Sequence, residues 1–412
     1  MTKPPQKDEP LAGLIRPSGS VEKSIDKVLN AVRNHLGMDV AFITEFMEGE
    51  RIFRHVDASM DDAPVREGAS APLSQGYCQR VVDGRLPELI PDTADVPAAL
   101  ALPETHSIPI GAHLGVPIRL ADGRIYGTFC CFSFQPDATL NERDLGMMRT
   151  LADLVGHQLE HSLESVRQRE DSRIRVRSVI DSAQPSIVYQ PIFALGTGTI
   201  EGVECLSRFD SEPRRGPNEW FTEAAVVGMG VELESIAIRK AVAELRTVPG
   251  DFYIAFNCSP EMVCGGELRA ALGDIPPQRV VLEITEHSYV ENYAALRQAL
   301  VPLRASGVRI AIDDTGAGYA SMRHILSIDP DIIKLDISLT RNIDRDRRRR
   351  AFAGAMLEFA RHTGSTIIAE GVENENELAT LRELGVTEAQ GFHFGKPLKL
   401  AELAFLVRAI ER

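Results

Sequence analysis

From residue 186 onward the chain alternates short apolar runs with helical segments, and this alternation constrains its fold more than any other feature. The runs fall near 187–193, 200–208, 252–258, 279–285, 308–314, 331–336, 365–370 and 388–392. Buried strands separated by helices predict a parallel α/β architecture. Eight of them in about 225 residues suit a TIM-like (β/α)8 barrel, a fold that usually runs to about 250 residues.

The polar residues cluster where these runs end. Glu204 closes the second, Asn257 the third and Glu283 the fourth, with Glu286 following; Asp313 and Asp314 close the fifth. The sixth supplies Lys334 and Asp336, the seventh Glu370 and Glu373, and the eighth Gln390. In a barrel of this kind the C-terminal strand ends converge on one mouth. Glu204, Asn257, Glu283, Asp313, Asp314 and Glu370 are therefore expected in one small volume. Five carboxylates cannot share it fully ionised without protons or cations. An all-oxygen set with one amide suits hard cations such as Mg²⁺ or Mn²⁺, and an adjacent Asp pair could bridge two of them. Taken singly the elements say less: Asp-Asp is commonly a cap or loop, and Lys334 would by default be a buried lysine paired with Asp336.

Upstream the texture differs. Residues 20–36 carry Val21, Ile25, Val28, Leu29 and Val32 on one helical face. Strand-like runs follow at 40–46 and 51–56, a short helix is expected near 74–82, and runs at 114–120 and 124–134 flank Ala121-Asp122-Gly123, a hairpin signal. This predicts an α+β domain with an antiparallel sheet. A long helical stretch begins at Asn141 and fades into Arg-rich sequence between Arg167 and Arg177. It reads either as a dimeric coiled-coil relay or as an ordinary helix packed on the first domain. His157 to His161 spells the H-x-x-E-H pattern of some zinc peptidases, but without a further ligand nearby a polar helix face accounts for it.

Composition narrows the partners. A net charge of −14 disfavours a grip on extended nucleic acid, and the arginines of Arg345 to Arg350 read as a solvated helix start. An acidic chain can still bind phosphates through a bridging divalent cation. No apolar run approaches the roughly 18 residues that cross a bilayer, so no membrane association is expected. Prolines 4, 5, 10 and 17 with scattered charges read as a disordered tail, and six cysteines without a CxxC pair fit a reducing, cytoplasmic setting.

Residues 186–412 resemble the EAL domain of bacterial cyclic-di-GMP phosphodiesterases. The motifs that carry the resemblance are Tyr189-Gln190-Pro191, ECLSR from Glu204 to Arg208, FNCS ending at Ser259, and LEITE from Leu282 to Glu286. IDDTGAGYASM from Ile312 to Met322, IKLD, AEGVE from Ala369 to Glu373 and QGFHFGKP from Gln390 to Pro397 follow in family order. The resemblance implies hydrolysis of one phosphodiester of cyclic-di-GMP, giving linear pGpG. It implies two cations held by Glu204, Asn257, Glu283, Asp313, Asp314 and Glu370, with Lys334 orienting or deprotonating the attacking water. Gln190, Leu206, Arg208 and Gln390 would contact the substrate. Glu286 would hold the loop after the fifth strand, and Glu373 would support the metal site. Such domains often form homodimers.

This chain departs from the family in having Cys205 for Ala, Thr315 for Phe and Ala317 for Thr, while Gly316 and Gly318 are kept. The altered loop puts its coupling of dimerisation to metal binding in question more than catalysis. Residues 20–160 resemble a GAF sensory module, chiefly through the run from Gly111 to Phe134. Its ligand stays open among a cyclic nucleotide, a bilin, a haem or none, and Cys78, Cys130 and Cys131 read as packing residues. The expected organisation is a tail over 1–19, a GAF domain over 20–160, a helical linker over 161–185 and an EAL domain over 186–412. A degenerate barrel that binds cyclic-di-GMP without cutting it is the alternative, as is an enzyme for another phosphodiester.

Overall fold

The computed structural model describes residues 21–285, 290, 292–315 and 319–410. The tail over 1–19, Glu286 and the loop positions Gly316, Ala317 and Gly318 lie outside the described residues. The chain divides into two compact units, 1–168 and 169–412.

The first unit is built on a six-stranded antiparallel sheet. Its strands are β1 (Val40–Met47), β2 (Glu50–Ala58), β3 (Ser70–Pro72), β4 (Leu89–Ile90), β5 (Ala112–Arg119) and β6 (Ile125–Ser133), in spatial order β3-β2-β1-β6-β5-β4. The two short edge strands carry too few residues to show in the hydrophobic pattern. Glu48 and Gly49 both adopt positive φ between β1 and β2, as a tight primed hairpin turn requires. Alternate residues serve opposite faces. Ala41, Ile43, Phe129 and Cys131 pack against the helices Val21–Leu36 and Glu142–Asp181, whereas Val40, Phe42, Cys130 and Phe132 form a second core with Phe53, Tyr77 and Cys78. Helix Glu142–Asp181 contributes Leu145, Met148 and Val155 to the first of these cores. Near its end, Val176 and Val179 join Trp220 and Leu233 in the second unit.

The second unit is a closed barrel of β7 (Ser186–Ala194), β8 (Ile200–Arg208), β9 (Tyr253–Asn257), β10 (Val280–Thr285), β11 (Arg309–Thr315), β12 (Ile332–Leu335), β13 (Thr366–Ala369) and β14 (Glu388–Ala389). The expectation of an all-parallel sheet needs one correction: β7 runs antiparallel to both β8 and β14. Only residues 195–199 join β7 to β8, far short of the dozen or so that a parallel crossover needs. The connection is a hairpin.

Strand periodicity then positions the site. Ala255, Val281, Ala311, Ile332 and Ile368 form an apolar plug inside the barrel. Two residues further along the same strands, on the same face, stand Asn257, Glu283, Asp313, Lys334 and Glu370. Residues of opposite parity, such as Ile254, Leu282, Ile310 and Ile333, join the surrounding helices in the larger core. At the other end of the plug Tyr253 donates to Glu388 Oε2 at 2.7 Å, beneath the Arg309 guanidinium. Gly202 makes room for that ring, because a Cβ there would lie 2.2 Å from it. Gly202→Ala is expected to destabilise the barrel by about 1–3 kcal/mol through overpacking, read from the urea midpoint at unchanged slope.

Candidate active site

Lys334 is the centre of the mouth. It is wholly buried, and its Nζ lies 2.9 Å from Glu370, 3.0 Å from Asp313, 3.1 Å from Glu283 and 3.3 Å from Glu204. These partners come from four other strands or strand ends. The default pairing with Asp336 is not observed: that carboxylate caps the short helix Ile337–Thr340 by accepting from Ser338 N. Adjacent residues of a strand point to opposite faces, so Lys334 and Asp336 share a face only if the strand continues, and it ends at Leu335.

One ammonium cannot offset four carboxylates. Burial pushes Glu283 and Glu370 well above the usual carboxylate range, reinforced by their acidic neighbours and opposed by Lys334. Burial would lower Lys334, but the four carboxylates outweigh it and hold the amine well above its ordinary value. The site is thus rich in negative charge and short of cations.

Asp314 reaches the same place through a bulge. Between β11 and β12, Ile312 pairs with Ile333 but Thr315 pairs with Leu335, so β11 carries one extra residue. Asp314 sits there at φ 54°, a left-handed conformation that Asp tolerates better than most residues. In a regular strand Asp314 would face away from Asp313. Here Asp313, Asp314 and Glu370 each place a carboxylate oxygen within 4.8 Å of the others, as do Glu204, Glu283 and Asp313. Asparagine keeps the left-handed preference but not the charge. Asp314→Asn is therefore expected to leave stability within about 0.5 kcal/mol while weakening Mn²⁺ affinity roughly 10–100-fold, checked by denaturation and by calorimetric titration.

The remaining positions divide. Asn257 Nδ2 lies 3.4 Å from Glu204 Oε1. Gln390 is buried and donates to Glu204 at 2.7 Å and to Glu370 at 2.6 Å, which makes it a bridge between two carboxylates, with Oε1 unpartnered among the described residues. Gln190 pairs with Glu204 across β7 and β8, and Leu206 is half-buried one turn of the pleat beyond. Arg208 is exposed at the end of β8 and makes no ion pair with a described residue. Glu373 is not brought into the cluster; both its oxygens meet Arg341 Nη2, at 2.8 and 2.9 Å.

Sequence reasoning missed Glu377. It is buried and accepts from Asn342 N at 2.8 Å and Glu373 N at 2.9 Å, tying the loops that follow β12 and β13. Burial alone would raise its pKa, but these backbone donors outweigh it and hold the carboxyl below its ordinary value. The signal was the Asn374-x-x-Glu377 spacing at the start of helix Glu375–Leu384, where the Asn374 side chain accepts from Glu377 N.

The donor set fits a divalent cation. It is all oxygen apart from its lysine, its members lie within coordinating reach of one another, and Asp313 Oδ1 is buried without a hydrogen-bond donor among the described residues. Lys334 is close to that oxygen but off a hydrogen-bonding direction.

A barrel with an acidic mouth at its C-terminal strand ends defines a class of metal-assisted sites. The chain belongs to the EAL domain family: residues 173–397 match the family's model, and residues 18–160 match that of the GAF domain. It is 31% identical over 251 residues to the cyclic di-GMP phosphodiesterase NbdA of Pseudomonas aeruginosa, covering 57% of this chain and 31% of that protein. To the cyclic di-GMP phosphodiesterase RocR of the same organism it is 28% identical over 234 residues, 53% of this chain and 59% of RocR. The solved PaMucR phosphodiesterase in complex with c-di-GMP superposes with a TM-score of 0.51 at 27% identity, over 57% of this chain and 99% of that one. Four other curated relatives are longer proteins, of which the chain spans 30–40%. No described helix is long and apolar enough to cross a membrane.

Proposed function

We propose that the barrel hydrolyses cyclic-di-GMP to linear pGpG with two divalent cations, Mg²⁺ or Mn²⁺, and that the GAF unit regulates it. One observation carries the reading. Glu204, Glu283, Asp313, Asp314 and Glu370 together with Lys334 leave four negative charges when ionised, which two divalent cations match. Asn257 would add a neutral oxygen ligand. The chemistry supplied by a bound pair is Lewis-acid in kind: activation of a water and neutralisation of phosphoryl oxygens.

The chain's own groups do the rest. With the carboxylates engaged elsewhere, the three N–H donors of Lys334 become available to orient the attacking water and to offset charge on the phosphate. Gln390 keeps Glu204 and Glu370 in register through its two hydrogen bonds, a positioning role added to the substrate contact that the resemblance implies. Gln190, Leu206 and Arg208 lie along β7 and β8 and would hold the nucleotide, with Arg208 the cation for a phosphate. Glu286 would hold the loop after β11, and Glu373, braced by Arg341, would act on the site through the loop after β13. Assembly as a homodimer completes the reading.

Incubation with cyclic-di-GMP and Mn²⁺ or Mg²⁺, followed by chromatography, tests the proposal. The expected product is pGpG, formed only with added metal. Cyclic-di-GMP binding without product would instead make the protein a receptor, and cleavage of a different phosphodiester alone would reassign the substrate.

A further inference from the structure

Where β12 and β13 part, the sheet leaves one carbonyl without a backbone donor. Along this parallel pair Thr366 N donates to Asp331 O at 2.9 Å and Glu370 N to Leu335 O at 3.0 Å. In a parallel ladder the N–H and C=O of one residue face the same neighbouring strand. The donor next in line for Glu370 O is therefore Ile337 N. β12 does not supply it, because the strand stops at Leu335 and Ile337 opens the short helix Ile337–Thr340 behind the Asp336 cap. The Thr340 hydroxyl provides the missing rung, its Oγ1 donating to Glu370 O. Thr340 is wholly buried, and the other acceptor in reach, Ile337 O of its own helix, is farther off at 3.4 Å.

The two residues that follow are tied to the same stretch of chain. Arg341 meets the Glu373 carboxylate, and Asn342, turned to φ 56°, donates its N–H to Glu377. Gly371 turns at φ 61° directly after Glu370, and Ile337 covers it so closely that a Cβ there would lie 2.4 Å from Ile337 Cγ1. Among these ties, that of Thr340 falls on Glu370 itself. The Glu370 carboxylate is the one that Lys334 Nζ meets at 2.9 Å and Gln390 Nε2 at 2.6 Å. With both its N–H and its C=O engaged, Glu370 has its Cα, and so the direction of its side chain, set by the chain segment that carries Lys334.

We propose that Thr340 is a positioning residue of the acidic mouth. By completing the β12–β13 ladder with a side chain, it sets where the Glu370 carboxylate stands against Lys334 and against a divalent cation. The cation part rests on the function proposed above; the placement against Lys334 does not. Thr340 acts through Glu370 and touches no ion, as outer hydrogen-bond partners of metal ligands do.

Calorimetric titration of the full-length protein with Mn²⁺ tests the inference, beside urea denaturation in chelator. Thr340→Val keeps the shape and removes the hydroxyl, and its Mn²⁺ affinity is expected to fall about 10–100-fold. Thr340→Ala sets no methyl group against the Glu370 carbonyl; the same fall is expected, and it serves if the valine variant does not fold. Thr340→Ser returns the hydroxyl and should bind Mn²⁺ as the wild type does. A hydroxyl that served stability alone would lower the urea midpoints of the valine and alanine variants and leave their Mn²⁺ affinity unchanged; that result would overturn the proposal. Wild-type protein that binds Mn²⁺ yet forms no pGpG would sink the hydrolase reading alone, since calorimetry needs no turnover. If the wild type takes up no Mn²⁺, the metal reading fails and a double-mutant comparison in chelator decides the placement. The fall in urea midpoint caused by Thr340→Val should be smaller in a Glu370→Gln background, where no charge is left to misplace, and equal falls in both backgrounds would overturn it.

Discussion

Lys334→Met is expected to cost the metal-free protein about 3–5 kcal/mol of stability, because it strips the ammonium shared by four carboxylates, three of them buried. Methionine fills the aliphatic part of the space, so packing changes little and the loss is electrostatic. Glu283 and Glu370 are already pushed towards their neutral forms, and without Lys334 further protons must be taken up. Urea denaturation of chelator-treated protein reads the effect. The same titration with Mn²⁺ should restore part of it, since a ligand at about 100 times its Kd adds about 2.7 kcal/mol to the folded state. A variant that unfolds at the wild-type urea concentration without metal would show that the ammonium is not what compensates this cluster.

Glu204→Ala should abolish turnover, lowering the rate of pGpG formation by at least about 10³-fold at saturating metal. Glu204 belongs to the Glu204, Glu283, Asp313 group, and it also receives hydrogen bonds from Asn257 and Gln390. Removing it deletes a ligand and loosens two neighbours together. It also relieves some of the negative charge around Lys334, so the folded state should survive the change better than it survives Lys334→Met. The discriminating readout is the Mn²⁺-induced rise in melting temperature, expected to shrink along with activity. An unchanged rate at saturating metal would contradict the role assigned to this residue.

The departures at Cys205 and Thr315 bear on this site differently. Cys205 has the opposite strand parity to Glu204 and packs among the outer core residues, where burial first, and then the nearby carboxylates, push its thiol well up. It behaves as a small apolar filler, as the alanine of the family would. Thr315 is also buried, and its hydroxyl has no partner among the described residues. It follows the bulge directly, so the substitution falls where β11 leaves the barrel.

Much of this molecule is readable along the chain because period-two and period-3.6 patterns are local. The eight barrel strands, the antiparallel sheet upstream and the accumulation of acidic residues two positions beyond the apolar plug all follow from which residue comes next. Closure decided the rest. The four-carboxylate environment of Lys334 and the Gln390 bridge between Glu204 and Glu370 depend on register between strands far apart in sequence. So does the bulge that turns Asp314 to the same side as Asp313, because an extra residue in β11 is defined only against its pairing with β12. Side-chain type declared what each position could contribute, and only three-dimensional pairing set which charges had to answer one another.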